Sequence, residues 1–377
     1  MLEGFRASGW TCLVASGAAD HPAREELEAA GYATRRIAVN DDAFDAFITG
    51  CAPDIVVFDR FMTEEQFSWR VREQVPAALR VLDLVDLHAL RDVRKLAHDA
   101  GRDPMRVVPD ATDEKVQREL AAMWRSDVTL VISEAEMPVL DRMGLQDSKR
   151  IYCPLVYEVP DECADLASRE HFVFIGNFRH PPNADAVCAL HDRIWPRIRA
   201  ALPQAELHVY GAYPPRRFMD LSDGASGFIV KGPARDSVDT LAGYRVSLAP
   251  LGFGAGLKGK ILDSCRAGTP VITTPVGAEG IFKLPHPGVV MDEASFVASA
   301  IELYQHEAVW QAHQASARET LSTFSPALLH QGMERLQDIR SDLQAIRAAD
   351  HTGQAFWQQT LRSSEYFSRW IMAKNRA

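Results

Sequence analysis

What this 377-residue sequence lacks excludes several classes of protein. Its six cysteines form no Cys-x-x-Cys pair and have no histidine at zinc-finger spacing, so neither a metal ribbon nor a disulfide framework is indicated. No apolar run approaches the roughly 18 residues that cross a bilayer, and the first residues do not resemble a signal peptide. Basic residues number 41 against 51 acidic ones, which argues against a nucleic-acid partner. We therefore expect a cytoplasmic protein in a reducing compartment.

Short apolar runs rich in β-branched residues recur along the chain, with helix-length segments between them. The predicted strands are residues 11–15, 54–58, 80–84, 127–133, 172–176, 206–210, 245–249 and 270–274. Runs that do not alternate with polar residues are typical of parallel strands covered on both faces. The fold class is therefore predicted to be α/β, with two Rossmann-like, doubly wound domains.

The length also favours two domains, because one hydrophobic core rarely serves so long a chain. Residues 156–170 contain Pro160 and several acidic residues without periodicity, and a new strand follows them. We predict an N-terminal domain over residues 1–160, a C-terminal domain over 168–350 and a final helix over 351–377.

The segment with most chemical information is residues 249–274, which predicts a strand, a glycine-rich loop, a helix that ends at Gly268 and a second strand. The loop glycines are Gly252, Gly254, Gly256 and Gly259. Glycines ahead of a helix let backbone N–H groups approach an anion at the positive end of the helix. Lys258 and Lys260 add charge there, so a phosphate or diphosphate site is expected.

Two familiar nucleotide motifs do not explain this loop. Gly254-x-x-x-x-Gly259-Lys260 matches most of a P-loop, but Ile261 follows where Ser or Thr would bind Mg²⁺. An NAD site is disfavoured because no Gly-x-Gly-x-x-Gly follows a first strand and no acidic residue is placed to bind the ribose. Serine-hydrolase and zinc-protease motifs are missing as well.

Five segments, in chain order, resemble the donor-binding half of the retaining family 4 (group 1) glycosyltransferases. They are Phe-Val-Phe-Ile-Gly-Asn-Phe-Arg-His-Pro-Pro-Asn at 172–183, Leu-His-Val-Tyr-Gly-Ala-Tyr at 207–213, Lys-Gly-Pro at 231–233, Gly-Phe-Gly-Ala-Gly-Leu-Lys-Gly-Lys at 252–260 and Gly-Thr-Pro-Val-Ile-Thr-Thr-Pro-Val-Gly-Ala-Glu-Gly at 268–280. The resemblance implies the GT-B fold, with two domains facing each other across a cleft. It also implies a nucleoside-diphosphate sugar as co-substrate, with no other cofactor and no metal.

The resemblance implies roles for individual residues of the donor domain. Asp263 stands at the second position of the family's acidic pair, which binds the ribose hydroxyls, whereas Ala255 replaces the first acid. Asn177 replaces the family's phosphate-binding Arg, so the cations expected to hold the diphosphate are Arg179, Lys258 and Lys260. The other donor-binding positions implied are Gly211, Lys231, Pro233, Gly254, Gly256 and Gly259.

The N-terminal domain matches the family less well. Asp86 and His88 resemble its His-Asp element beside the donor sugar, although Val85 occupies the usual His position. The predicted catalytic residues are Lys258, Lys260, His88 and Asp86. Residues 1–10 resemble the end of the family's first helix, so we expect the first strand of the domain to be missing. Either the start codon is wrongly chosen, or the domain really lacks this strand. An exposed sheet edge would favour a homodimer.

The predicted activity is transfer of a sugar, with retention at the anomeric carbon and without metal, to a glycan, lipid-linked or protein acceptor. The alternative is a catalytically inactive nucleotide-sugar-binding or regulatory partner, favoured by Ala255, Asn177 and Val85. The C-terminal segment 360–377 is basic with interleaved aromatic residues, which leaves two interpretations open. It lies on the inner face of an anionic membrane, or it packs on the first domain with its aromatic residues in the core.

Overall fold

The computed structural model describes residues 1–18, 22–359 and 361–376 of the chain. Residues 1–154 contain α1 (Leu2–Ala7), β1 (Leu13–Ser16), α2 (Pro22–Ala29), β2 (Ala33–Arg36), α3 (Ala43–Cys51), β3 (Ile55–Asp59), α4 (Arg60–Gln74), β4 (Leu79–Asp83), α5 (His88–Asp99), α6 (Glu114–Arg125), β5 (Val128–Val131), α7 (Met137–Arg142) and β6 (Arg150–Tyr152). Residues 155–322 contain β7 (Glu170–Ile175), α8 (Pro181–Ala189), α9 (Trp195–Ala201), β8 (Leu207–Tyr210), α10 (Arg216–Met219), β9 (Phe228–Gly232), α11 (Ser237–Ala242), β10 (Tyr244–Ala249), α12 (Gly259–Arg266), β11 (Val271–Thr273), α13 (Pro275–Ala278), α14 (Glu293–Gln305) and α15 (Glu307–Ser322).

The described residues of the C-terminal part form four helices, α16 (Pro326–Ser341), α17 (Leu343–Ala349), α18 (His351–Gln359) and α19 (Leu361–Arg376). Asp350 separates α17 from α18, directly before the residue at which the final helix was predicted to begin. The predicted final helix also covers Thr360 and Ala377, which lie outside the described residues. Across the described ranges, no helix is both long enough and apolar enough to cross a membrane.

The chain divides into two compact units. Unit 1 consists of Met1–Leu87, Asp110–Pro154 and Ala327–Ala377, and unit 2 of His88–Pro109 and Leu155–Pro326. Unit 1 has a two-stranded sheet, β1-β2, and a four-stranded sheet, β3-β4-β5-β6, whereas unit 2 has one sheet of order β11-β10-β7-β8-β9. Every pair of neighbouring strands in these sheets is parallel. The α/β class with Rossmann-like parallel sheets is confirmed.

The units differ from contiguous domains in two segments. Helix α5 belongs to unit 2, although it lies within residues 1–160 of the chain, and residues 327–350 belong to unit 1. Helix α5 is drawn to unit 2 by Arg94, whose buried guanidinium is hydrogen-bonded to Gly254 and Glu279. Such long-range pairing has no signal in local sequence patterns.

Central strand β7 shows why the apolar runs do not alternate. Phe172 and Phe174 point into a core shared with α8, α9 and α14, whereas Val173 packs with Leu241 of α11 on the opposite face. Both faces of the strand are therefore covered, as in other parallel sheets. Each of the eight predicted strands overlaps a strand of the structure.

Three strands were not predicted: β2, β6 and β9. Each lies at the edge of its sheet. Strand β2 ends in Arg35 and Arg36, both exposed, and β6 has only three residues. Edge strands are short and less covered than central ones, so their sequences carry a weaker apolar signal.

The helix after β7 begins earlier than the sequence suggests. From the sequence, Asn183 is a plausible N-cap of this helix because Asn often occupies that position, but α8 starts at Pro181, directly after His180. Proline suits the first helical turn because the N–H that it lacks has no partner there. The Asn183 amide instead donates to the Asn177 carbonyl over 2.8 Å, which ties the helix to the preceding loop.

Candidate donor-binding site

The candidate site lies where the sheet of unit 2 reverses its strand order. From β7 the chain passes to β8 on one side, and β10 pairs with β7 on the other. The loops after β7 and β10 therefore leave neighbouring carboxyl ends in opposite directions, toward α8 and α12. Ligands of open α/β sheets bind in the crevice at such a point. The glycine-rich loop predicted from the sequence is the second of these loops.

This loop brings Lys258 to the start of α12. Gly256 has a φ of 64°, which is readily adopted only by glycine, and Lys258 is the residue that precedes the first helical turn. The buried Lys258 ammonium donates to the Gly256 carbonyl over 2.9 Å and lies 3.6 Å from a Glu279 oxygen. One cation is thus fixed beside the N-terminus of α12, where the helix dipole favours an anion.

Arg94 and Glu279 contact the glycine-rich loop through Gly254 and Lys258. The Arg94 guanidinium donates to both carboxylate oxygens of Glu279, over 2.5 and 2.7 Å, and to the Gly254 carbonyl over 2.8 Å. Although burial opposes ionisation, the hydrogen bonds from Arg94 and the charge of Lys258 lower the pKa of Glu279. Sequence analysis missed this pair as site residues. The only sequence signal was Glu279 itself, within the last family-like segment.

Lys260 is the second residue of α12 and has different partners from Lys258. Its ammonium donates to the Asn183 side-chain oxygen over 2.5 Å and lies 4.4 Å from the centre of the Phe174 ring. A Cβ at Gly176 would come within 2.6 Å of this nitrogen, so glycine leaves the room that the lysine fills. Burial lowers the pKa of Lys260 to about 7. Its charge therefore depends on pH near neutrality unless an anion stabilises it.

Asp263 lies one turn further along α12, with different partners. Ser237 donates to one carboxylate oxygen over 2.8 Å, and the Tyr157 hydroxyl donates to the other over 3.4 Å. Burial raises the pKa of Asp263 although both hydrogen bonds oppose that shift. The carboxylate is therefore held in one orientation by two hydroxyls, neither of which neutralises its charge.

The remaining predicted donor positions lie in neighbouring loops. The Asn177 side chain accepts from the Arg179 backbone N–H over 2.9 Å, and the exposed Arg179 guanidinium lies 3.6 Å from the centre of the Tyr213 ring. Gly211 follows β8, where a Cβ would clash with the Gly176 carbonyl and the Phe178 ring. Lys231 lies near the end of β9, and Pro233 follows the strand directly. Both side chains are exposed. These loops follow β7, β8 and β9.

Asp86 and His88 fall into different units. Asp86 follows β4 in unit 1, after Val85, which has a φ of 60°. His88 is buried and begins α5 in unit 2.

Asp83, in unit 1, is a titratable residue that sequence analysis did not single out. Asp83 ends β4 directly opposite Asp59, which ends β3. Burial, and then the charge of Asp59, raise the pKa of Asp83 to about 6. One of its carboxylate oxygens is buried without a hydrogen-bond partner among the described residues. Its place at the end of a predicted strand was a signal, but its burial is a tertiary property.

Two further observations on the described part of the chain concern metal binding and cavities. No group of three or more His, Cys, Asp or Glu side chains within it is arranged to hold a metal ion. A cavity of about 160 Å³ lies beside the glycine-rich loop, with Gly252, Thr274, His98 and Asp185 in its lining. Because Lys258, Lys260 and Asp263 do not line this cavity, we place the donor site at the two lysines and the start of α12 and not in the cavity.

Comparison with known proteins agrees with this geometry. Residues 169–306 match the sequence model of the family described as glycosyl transferases group 1. No curated protein shows a significant sequence match to the chain. Among solved structures, Anabaena Alr3699/HepE in complex with UDP and glucose aligns with a TM-score of 0.67 at 10% identity, covering 89% of this chain and 94% of that one. Sucrose-phosphate synthase from Thermosynechococcus elongatus aligns with a TM-score of 0.63 at 15% identity, covering 89% and 90%.

Larger transferases align over part of their length. The pneumococcal O-GlcNAc transferase GtfA, solved with UDP and GlcNAc, aligns with a TM-score of 0.60 at 14% identity, covering 78% of this chain and 59% of that one. The chain likewise spans 57% of S. aureus TarM. The structural matches establish the fold, and the sequence match lies over the β7–α14 region that holds the site. The chain therefore has the GT-B fold, and its residues 169–306 are similar to the group 1 glycosyl transferases.

Proposed function

We propose that this protein transfers a sugar from a nucleoside-diphosphate sugar to an acceptor, with retention at the anomeric carbon and without a metal ion. The observation that carries the proposal is the cation pair at the start of α12. Lys258 precedes the first turn of that helix and Lys260 lies within it, after a glycine-rich loop, at the reversal point of a parallel sheet. Helix amides, helix dipole and two ammonium groups together suit a diphosphate.

The neighbouring residues suit the rest of a donor molecule. The Asp263 carboxylate, oriented by Ser237 and Tyr157, is proposed to accept two hydrogen bonds from the ribose hydroxyls. The backbone of residues 231–233 would receive the base, and Gly211 would let the chain approach the donor closely. Several structural neighbours were solved with UDP, so UDP-sugars are the first donors to test.

The proposed chemistry depends on stabilising the leaving group. As the bond from the anomeric carbon to the phosphate oxygen breaks, negative charge develops on the diphosphate, where Lys258, Lys260 and the loop amides act as preorganised donors. The acceptor oxygen bonds to the same face of the anomeric carbon, and its proton passes to the departing phosphate oxygen. Positioning and electrostatics would then supply most of the rate. Asp86 and His88 are proposed to contact the sugar, with a glycan, lipid-linked or protein acceptor bound by unit 1.

Titration calorimetry with UDP-, GDP-, dTDP- and ADP-sugars in EDTA tests donor binding. We expect one donor to bind the wild type and to bind Lys258→Ala/Lys260→Ala at least tenfold more weakly, because each charge-assisted hydrogen bond contributes about 1.5–3 kcal/mol. Lys283→Ala is the matched control, since it removes an exposed lysine of unit 2 that lies outside the glycine-rich loop and α12. The anomeric configuration of the product, read by NMR, tests retention. Tight binding without turnover would favour the inactive nucleotide-sugar-binding protein instead.

A further inference from the structure

The last helix, α19, exposes three large aromatic side chains. Tyr366 is 64% exposed, Phe367 62% and Trp370 58%. The rings of Phe367 and Trp370 are stacked with their centres 6.0 Å apart, so they form one apolar surface. Aromatic residues at helical spacing usually pack into a core. These three face outward instead, and an exposed cluster of this kind marks an interaction site.

The opposite face of α19 is fixed to unit 1. The buried Ser368 donates to the Asn40 side chain over 2.6 Å. Arg369 donates to both carboxylate oxygens of Glu73 on α4, over 2.9 and 3.0 Å. The helix is therefore held along one side, and the three aromatic residues form a stripe along the other at the spacing of successive helical turns. We call Tyr366, Phe367, Trp370 and the exposed Lys374 the aromatic stripe.

The charge of α19 is opposite in sign to that of the whole protein. The chain has a formal net charge of −10, whereas the α19 sequence contains four basic residues and one acidic residue. The Lys374 ammonium lies 5.4 Å from the centre of the Trp370 ring, so a cation borders the apolar surface directly. The net charge of the whole protein opposes any anionic partner, so the attraction must come from the local charge of α19. A flat anionic surface that takes up aromatic rings fits an apolar stripe that is bordered by a cation.

We propose that the aromatic stripe docks the protein on an anionic lipid bilayer. Tyr and Trp are amphipathic and prefer the headgroup region, where the rings bury apolar area and keep their polar atoms hydrated. Lys374 reaches the lipid phosphates, and anionic lipid strengthens binding through such cations. The helix lies on the bilayer rather than across it. This docking is independent of the donor site, since no residue of α12 or its loop takes part.

Sedimentation of the full chain with vesicles tests the proposal. Vesicles of phosphatidylcholine alone are compared with vesicles that also contain phosphatidylglycerol, at low and high salt. The wild type should bind the anionic vesicles, and more weakly as salt rises. The variant Tyr366→Ser/Phe367→Ser/Trp370→Ser should bind at least tenfold more weakly. It lacks the exposed rings that would be removed from water when the wild type docks. Lys374→Gln should lower binding about fivefold.

The matched control is Leu96→Ser/Met291→Ser, which removes two exposed apolar side chains of unit 2 and should bind like the wild type. Chemical denaturation of each variant reports whether unit 1 is folded, and donor binding by calorimetry reports the same for unit 2. No wild-type binding to anionic vesicles would overturn the proposal, as would equal binding by the triple variant. Concentration-dependent self-association that the triple variant loses, without vesicle binding, would assign the stripe to a second copy of the chain.

Discussion

Donor binding should depend on pH through Lys260. In the donor-free protein, burial lowers the pKa of this lysine to about 7. A diphosphate beside the ammonium would stabilise the charged form and raise that pKa well above neutrality. Binding is then linked to uptake of a proton. The affinity for donor must fall as the pH rises through the pKa of the free protein, because a growing fraction of Lys260 must first be protonated.

The size of the effect follows from the pKa. If the lysine stays protonated in the complex, donor affinity should fall about tenfold between about pH 6 and about pH 8. At about pH 7, roughly half a proton should be taken up per donor bound. Calorimetry with UDP-glucose in buffers of different ionisation enthalpy measures both quantities. A nucleotide sugar suits the assay because its diphosphate carries no group that titrates in this interval.

Two variants separate this linkage from a structural role of the lysine. Lys260→Arg keeps the charge at all these pH values, so the tenfold fall should disappear whatever its absolute affinity. Lys260→Met should bind donor at least tenfold more weakly and yet stabilise the donor-free protein by about 1–3 kcal/mol, because it removes a half-buried ammonium whose charged form is disfavoured there. A purely structural lysine would give the opposite change in stability. A wild-type affinity that does not vary with pH, or a slope retained by Lys260→Arg, would refute the reasoning.

Three further predictions concern other parts of the molecule. Asp263→Asn should weaken donor binding about 10- to 100-fold in calorimetry through loss of the charge offered to the ribose, and an unchanged affinity would contradict that role. Arg94→Met should destabilise the protein by about 3 kcal/mol in chemical denaturation because Glu279 is left buried without its bidentate partner, whereas Arg94→Met/Glu279→Met should lose less than the sum of the single changes. Asp83→Asn should stabilise the protein by about 2 kcal/mol near pH 7.5 and change little near pH 4. The reason is that the pKa of the Asp83 carboxyl is raised to about 6, so the stability of the wild type falls as the pH rises from about 4 to about 6 and stays low above that. A melting temperature of Asp83→Asn equal to that of the wild type at the higher pH would contradict this.

Local patterns predicted the features that depend on local chemistry. The apolar run of β7 follows from its two covered faces, and the loop at 252–259 with the stop at Gly268 follows from the backbone freedom of glycine. Gly268 has a φ of 64°, and its backbone N–H donates to the Cys265 carbonyl over 3.1 Å at the end of α12. These residues determine their own conformation, so the sequence around them is sufficient.

The features that were missed depend on residues far apart in the chain. Arg94 and Glu279 are separated by 185 positions, and no local sequence pattern around either residue indicates that they pair. The start of α8 was misplaced because two prolines and an Asn compete for the same turn, and the Asn183 side chain is taken by the Asn177 carbonyl. The exposure of Trp370 could not be told from helical spacing, since a stripe on a helix has the same pattern whether it faces a core or solvent.

The central claim is that Lys258 and Lys260 hold the diphosphate as it leaves the sugar. The most direct test is the rate of sugar release from the bound donor, followed in EDTA for the wild type, Lys258→Ala/Lys260→Ala and the control Lys283→Ala. We predict slow release by the wild type and the control, and a rate at least about 100-fold lower in the double variant, as expected when preorganised donors to a leaving group are removed. Release by the double variant at the wild-type rate, with donor saturating, would contradict the account.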